Sequence, residues 1–144
     1  MRRWAFPSVP LEEDECKWLM EWALVQRFHG IPLERLLIRV PNGAYHGRDR
    51  RAGAVIARKL REQGMKPGVF DYILPLPIIR VACFVPGLWL EMKRTRGGTV
   101  SDEQQSFMAL MLNFGWRCEV ARGWVEGSEI ITKYLKEANH EPGS

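Results

Sequence analysis

Blocks of apolar and polar positions along the chain predict four helices and four strands. Behind Pro10, the run Leu11-Glu12-Glu13-Asp14-Glu15 opens a helix reaching to about Phe28. Acids at a helix start oppose the positive end of its dipole. At about 100° per residue, Glu12, Glu15, Trp18, Leu19, Trp22 and Gln26 share one face, and Glu13, Lys17, Glu21 and Leu24 point away. Gly30 and Pro32 close this helix. Glu34 to Val40 is a short apolar run ended by Pro41-Asn42-Gly43, the pattern of a strand and a turn. A second helix is predicted from about Asp49 to Gln63, with Gly64 as its cap. Its apolar stripe is Ala52, Val55, Ile56 and Leu60, and its polar side carries Arg50, Arg51, Arg58, Lys59 and Arg61. Val69 to Leu74 and Gly87 to Lys93 read as strands. The apolar stretch 73–90 is broken by Pro75, Pro77, Arg80 and Pro86, which predicts two buried strands and a turn rather than a membrane span. Ser101 and Gln104 have the spacing of a capping box, opening a helix that runs to Phe114 and stops at Gly115. Trp116 to Ala121 reads as a strand and Ser128 to Ala138 as a helix with Ile131, Tyr134, Leu135 and Ala138 inside. The predicted order is α-β-α-β-β-α-β-α, an α/β fold without repeats or linkers.

At 144 residues the chain suits one domain, with a core of about 11–138 and flexible ends at 1–10 and 139–144. A 46% hydrophobic content excludes a disordered chain. Cys16, Cys83 and Cys118 lack ligand spacing, so no structural zinc site is expected, and the count suits a reducing interior. Met1 to Pro10 holds no apolar stretch of the signal-peptide kind. The net charge of +4 leans toward a polyanionic partner.

Candidate chemistry lies between residues 68 and 104. Glu91 and Lys93 stand about 6.6 Å apart on one side of a strand. If strands 69–74 and 87–93 pair antiparallel, Asp71 faces Glu91. Leu88, Trp89, Leu90 and Met92 mark that strand as buried, where charges are costly unless paired or bound to an ion. A divalent ion held by carboxylate oxygens would offset that cost. The lysine could then position water or steady charge on a phosphate.

In this order and spacing the residues resemble the virus-type replication–repair nuclease (VRR-NUC) domain, a branch of the PD-(D/E)XK nucleases. The resemblance covers about residues 12 to 135. It runs through Glu15, Pro41-Asn42-Gly43, Gly64-Met65-Lys66-Pro67-Gly68-Val69-Phe70-Asp71, Glu91-Met92-Lys93, Gly97-Gly98, Ser101 with Gln104, and Gly115. It implies a restriction-endonuclease-like mixed sheet flanked by helices, and Mg²⁺- or Mn²⁺-dependent hydrolysis of DNA. Asp71, Glu91, the Met92 carbonyl and Glu15 would hold the metal. Lys93 would place the water, and Gln104 would support the acids or touch the phosphate. Two positions depart from the family: Phe70 stands where proline is usual, and Cys16 where glutamine often follows the helix acid. The second departure leaves Glu12 as an alternative to the favoured Glu15.

Stand-alone members resemble homodimeric Holliday-junction resolvases. The expectations are therefore a homodimer acting on branched DNA, with no membrane partner, in the cytoplasm of a bacterium or phage-infected host. The alternatives are a flap or single-strand nuclease of the same fold, a non-catalytic nucleic-acid-binding module, and a structural domain. Arg48, Arg50, Arg51, Arg58 and Lys59 on the basic helix, with Arg94 and Arg96 after the E-x-K strand, are the candidate DNA contacts. His29 and His46 have no partner at ligand spacing. The tryptophans are mostly core candidates, and Cys16 lies off the centre of the apolar face with no base beside it.

Overall fold

A computed structural model describes residues 8–41 and 49–139. Arg48, Asn42, Gly43 and His46 lie outside the described residues.

Helix α1 spans Glu12–Val25 and buries Glu15, Cys16, Leu19 and Ala23. It stops three residues before the predicted end because a two-stranded ribbon follows, β1 (Arg27–Phe28) and β2 (Ile31–Pro32). His29 and Gly30 turn that ribbon with φ of +50° and +77°, the paired left-handed conformation that tight hairpins favour. The strand expected over Glu34–Val40 is mostly something else. Leu33–Arg35 forms a 3₁₀ turn that seats Leu33 and Leu37 under α1, and only β3 (Ile38–Arg39) is extended.

Helix α2 spans Arg50–Glu62, with the Asp49 carboxylate accepting from the amides of Arg51 and Ala52. An apolar stripe of this period usually faces a core. Instead Val55 and Ile56 are exposed and Gly53 is its one buried residue. Strands β4 (Tyr72–Leu74) and β7 (Leu88–Lys93) bracket a second ribbon, β5 (Ile78–Arg80) with β6 (Cys83–Val85). The two strands foreseen as buried are thus partly an exposed ribbon, with Ile79, Val81 and Phe84 facing solvent. Helix α3 spans Asp102–Asn113, β8 Arg117–Arg122 and α4 Trp124–Ala138.

The main sheet has the order β3-β4-β7-β8. β3/β4 and β4/β7 are antiparallel and β7/β8 is parallel, so the sheet is mixed. With the two ribbons set aside, the element order is the predicted α-β-α-β-β-α-β-α. Strand side chains alternate between faces. Leu88, Leu90 and Met92 join Leu19, Ala121 and Ile131 in the core under α1 and α4. The alternate residues Trp89, Glu91 and Lys93 take the other face. There Trp89 meets Phe107 of α3 edge-on at 5.0 Å, and Phe70 meets the same ring at 5.4 Å. Phe70, in the family's proline position, is therefore a fully buried packing residue. The other described tryptophans sit at the margins of the core, and Trp18 is 37% exposed.

Gly68 fixes how α3 meets the turn before β4. Its φ is +83°, and a Cβ there would overlap the main chain of Glu103. Only glycine permits that approach, which delivers Gln104 at the start of α3 to the end of the sheet.

Candidate metal centre

The register Tyr72↔Leu90 extends by one residue to set Asp71 beside Glu91. Each reaches across to the other's strand. The Asp71 amide donates to Glu91 Oε2 at 3.2 Å, and the Met92 amide donates to Asp71 Oδ2 at 2.9 Å. Glu91 Oε1 takes Lys93 Nζ at 2.9 Å and a short hydrogen bond from Gln104 Nε2. All four side chains are buried, Asp71 to 2% and Glu91 to 1% exposure. Gln104 also completes its capping box, its Oε1 accepting from the Ser101 amide while the Ser101 hydroxyl accepts from the Gln104 amide. One amide side chain thus caps a helix and holds a carboxylate.

The third acid comes from the first turn of α1. Ligand oxygens of Glu12, Asp71 and Glu91 all lie within 4.8 Å of one another. Glu12 is the alternative acid on the sequence, and Glu15, the favoured one, points elsewhere. Its Oε2 accepts from the Trp124 amide at 2.7 Å and fills the N-terminus of α4, beside Gly123. Three residues further along the helix, the Glu15 carboxylate serves a helix dipole rather than the acid cluster. The contact also explains why α4 begins four residues before the expected Ser128: its N-terminal cap is a distant side chain.

Three carboxylates so close repel, and burial compounds the cost. Burial first, then Asp71, pushes Glu91 up to about 7 against the pull of Lys93. Burial also raises Glu12, with Lys93 and Arg39 opposing and Asp71 adding. A trio of hard oxygens under that strain fits a divalent cation. The Met92 main chain serves the site through its amide, while its side chain lies in the core.

Arg39, which the sequence reading missed, borders the same acids. Its Nη2 stands 3.5 Å from Asp71 Oδ1, its Nη1 donates to the Tyr72 hydroxyl at 3.4 Å, and its guanidinium lies 5.2 Å over the Tyr72 ring. The signal was a single arginine inside the apolar run Ile38-Arg39-Val40. Cys16, off the centre of the apolar face on the helical wheel, is nonetheless buried, and burial raises its thiol above the usual value.

The candidate DNA contacts divide. Arg50, Arg51 and Lys59 are exposed on α2, Arg58 is exposed but paired with Glu62 at 3.0 Å, and Arg96 is exposed in the loop after β7. Arg94 is committed elsewhere, donating to the carbonyls of Pro10 and Val9 at 3.1 and 2.9 Å. Among the described residues no helix is long and apolar enough to cross a membrane.

No protein-family model matches the sequence, and no curated protein matches it. Fold comparison does find a similar structure. A solved structure described as a VRR_NUC domain protein superposes with a TM-score of 0.73 over 90% of this chain and 92% of that one, at 22% sequence identity. The chain therefore has the VRR-NUC fold, a restriction-endonuclease-like mixed sheet flanked by helices, as the sequence resemblance implied.

Proposed function

We propose that the protein is a metal-dependent DNA endonuclease. The observation that carries this reading is the convergence of Glu12, Asp71 and Glu91 with the Lys93 ammonium 2.9 Å from Glu91. Glu12, Asp71 and Glu91 would hold Mg²⁺ or Mn²⁺, with the Met92 carbonyl as a further ligand. The bound ion would supply Lewis-acid stabilisation of charge at the phosphate. Lys93 holds the attacking water through one N–H while another stays on Glu91. Gln104 keeps the Glu91 carboxylate turned toward its neighbours. The water oxygen forms a bond to phosphorus as one of its O–H bonds breaks, one P–O ester bond breaks, and the released proton ends on the leaving oxygen, so the strand ends as an alcohol and a phosphomonoester.

The exposed arginines and lysine of α2, with Arg96, supply a basic flank for the DNA backbone. Arg48, from the same basic run, belongs to this reading on its sequence position. Branched DNA such as a four-way junction is the proposed substrate. Symmetric cutting of a junction needs two active sites, and the described residues carry one acid cluster. A homodimer meets that need through a two-fold axis.

The test uses a labelled four-way junction and a matched linear duplex with Mg²⁺, Mn²⁺ or EDTA, beside Lys93→Ala. Paired nicks on the junction that need metal and vanish in the variant are expected. Cutting of linear or flapped DNA instead would remove the junction preference and keep the chemistry. Binding without cutting would point to a non-catalytic module and overturn the nuclease reading.

A further inference from the structure

Two cations act on the acid cluster, Lys93 and Arg39, and they sit differently. The Lys93 side chain is 9% exposed and bonded to Glu91, whereas Arg39 is 45% exposed at the edge of the sheet beside an Asp71 that is 2% exposed. We propose that Arg39 is a substrate-contacting catalytic residue, its guanidinium binding a non-bridging oxygen of the phosphodiester being cut. The inference rests on the nuclease reading above and assigns a role to a side chain that reading does not use.

Three observations carry it. The first is placement: Arg39 is the ladder partner of Tyr72, so its side chain leaves the sheet one residue from Asp71, at the lip of the acids. The second is orientation without saturation. The Tyr72 ring, itself buried and anchored by its hydroxyl to the Cys16 carbonyl, lies under the guanidinium. A guanidinium stacked in this way keeps its plane while its N–H edges remain available. Its contacts to Asp71 and Tyr72, at 3.5 and 3.4 Å, are longer than the roughly 2.7–2.9 Å of a closed charge-assisted pair. A guanidinium that served only to neutralise Asp71 would close on it. Five N–H donors on a half-exposed fork can meet a planar pair of phosphate oxygens while the Tyr72 contact persists.

The third observation is charge. Glu12, Asp71 and Glu91 carry three negative charges when ionised, and Lys93 with Arg39 carry two positive ones. A divalent ion brings the sum to one positive charge, which one phosphodiester neutralises. Without Arg39 the loaded site would be neutral, and the diester and its more negative transition state would bring unmatched charge into a buried cleft. Lys93 is already engaged with Glu91 and, in the reading above, with the attacking water.

The experiment compares wild type with Arg39→Gln and Arg39→Lys by three readouts. Calorimetry with Mn²⁺ alone reports the metal site. Anisotropy with a labelled junction in Ca²⁺ reports binding, and single-turnover cleavage in Mg²⁺ reports the chemistry. Arg39→Gln is expected to bind Mn²⁺ as tightly as wild type or a few-fold tighter, since a competing cation has left Asp71. Its cleavage rate should fall by about 10²–10³-fold, the loss typical of one preorganised donor to a developing anion. Arg39→Lys should keep metal affinity and lose at least tenfold in rate; if the glutamine variant does not fold, this variant decides alone. Cleavage at the wild-type rate in the variants overturns the proposal. So does a loss of Mn²⁺ affinity matching the loss of rate, which would make Arg39 a support for Asp71 only. A wild-type protein that binds Mn²⁺ and cuts no DNA overturns the nuclease reading, and this inference falls with it.

Discussion

Lowering the pH from 8 to 6 should weaken metal binding about tenfold through one carboxyl group. Glu91 is 1% exposed, and burial with its neighbour Asp71 holds it up to about 7. Only the ionised form can serve as a ligand. A group at that value is ionised about ten parts in eleven at pH 8 and about one in eleven at pH 6, a tenfold ratio or about 1.4 kcal/mol. At pH 6 each metal bound should release close to one proton, and at pH 8 almost none. Glu12 is raised as well and steepens the fall on the acid side. The same shift has a consequence for the metal-free fold. The folded value lies above the unfolded value of 4.5, so between about pH 4.5 and 7 the folded state binds more protons than the unfolded state. Stability of the metal-free protein therefore falls as pH rises through that window, by up to about 3 kcal/mol from Glu91. Metal should restore it, most strongly at and above pH 7. Titration calorimetry with Mn²⁺ at pH 6, 7 and 8, in buffers of different ionisation enthalpy, measures affinity and proton release together. An affinity that stays within twofold across that range, with heats independent of the buffer, would refute the assignment of Glu91 as a strained ligand.

Other perturbations separate the roles of neighbouring residues. Glu12→Gln should weaken Mn²⁺ binding by more than about tenfold at little cost in stability, while Glu15→Gln should leave Mn²⁺ binding near wild type and cost about 1–3 kcal/mol in a thermal melt. The reverse pattern would return Glu15 to the metal. Gly68→Ala should lower the melting temperature and metal affinity together, because the added methyl overlaps the Glu103 main chain and displaces the helix that holds Gln104; a melt and a Mn²⁺ titration unchanged from wild type would contradict this. Replacing Arg50, Arg51 or Lys59 by alanine should each lower the salt slope of DNA binding by about one, measured by anisotropy in Ca²⁺ at several salt concentrations, whereas an unchanged slope would remove α2 from the DNA surface.

What the sequence made legible follows from how local each signal is. The acid pair Asp71 and Glu91 could be read because strand periodicity and register are short-range rules, and a proline-broken connection left antiparallel pairing as the simple solution. Helix α3 could be read because Ser101 and Gln104 cap it from within. Where partners are distant, the local pattern misled. The apolar run 34–40 has strand composition, but the need to seat Leu33 and Leu37 under α1 turns half of it into a 3₁₀ bend. The α2 stripe has the period of a buried face, and periodicity says nothing about whether another element covers it.

The choice between Glu12 and Glu15 shows the same limit at the level of one turn of helix. Both lie on the inner side of α1, three residues apart, and a helical wheel treats them as equivalent. What separates them is what each meets. Glu12, at the open end of the first turn, reaches the end of the sheet where Asp71 and Glu91 stand. Glu15, one turn deeper, meets the N-terminus of α4, whose start no local cap announces. A buried carboxylate needs compensation. Main-chain N–H groups at a helix start give it to Glu15, whereas Glu12 stands among other carboxylates and depends on the cations Lys93 and Arg39 and, in the proposed reading, on a bound metal. The two glutamates therefore carry the same side chain for opposite reasons, and Gly123 leaves room for the second. A Cβ at that residue would press on Thr95 at 2.8 Å and approach the Glu15 carboxylate at 3.4 Å, so a larger residue there would crowd the α4 cap while leaving the Glu12 turn untouched.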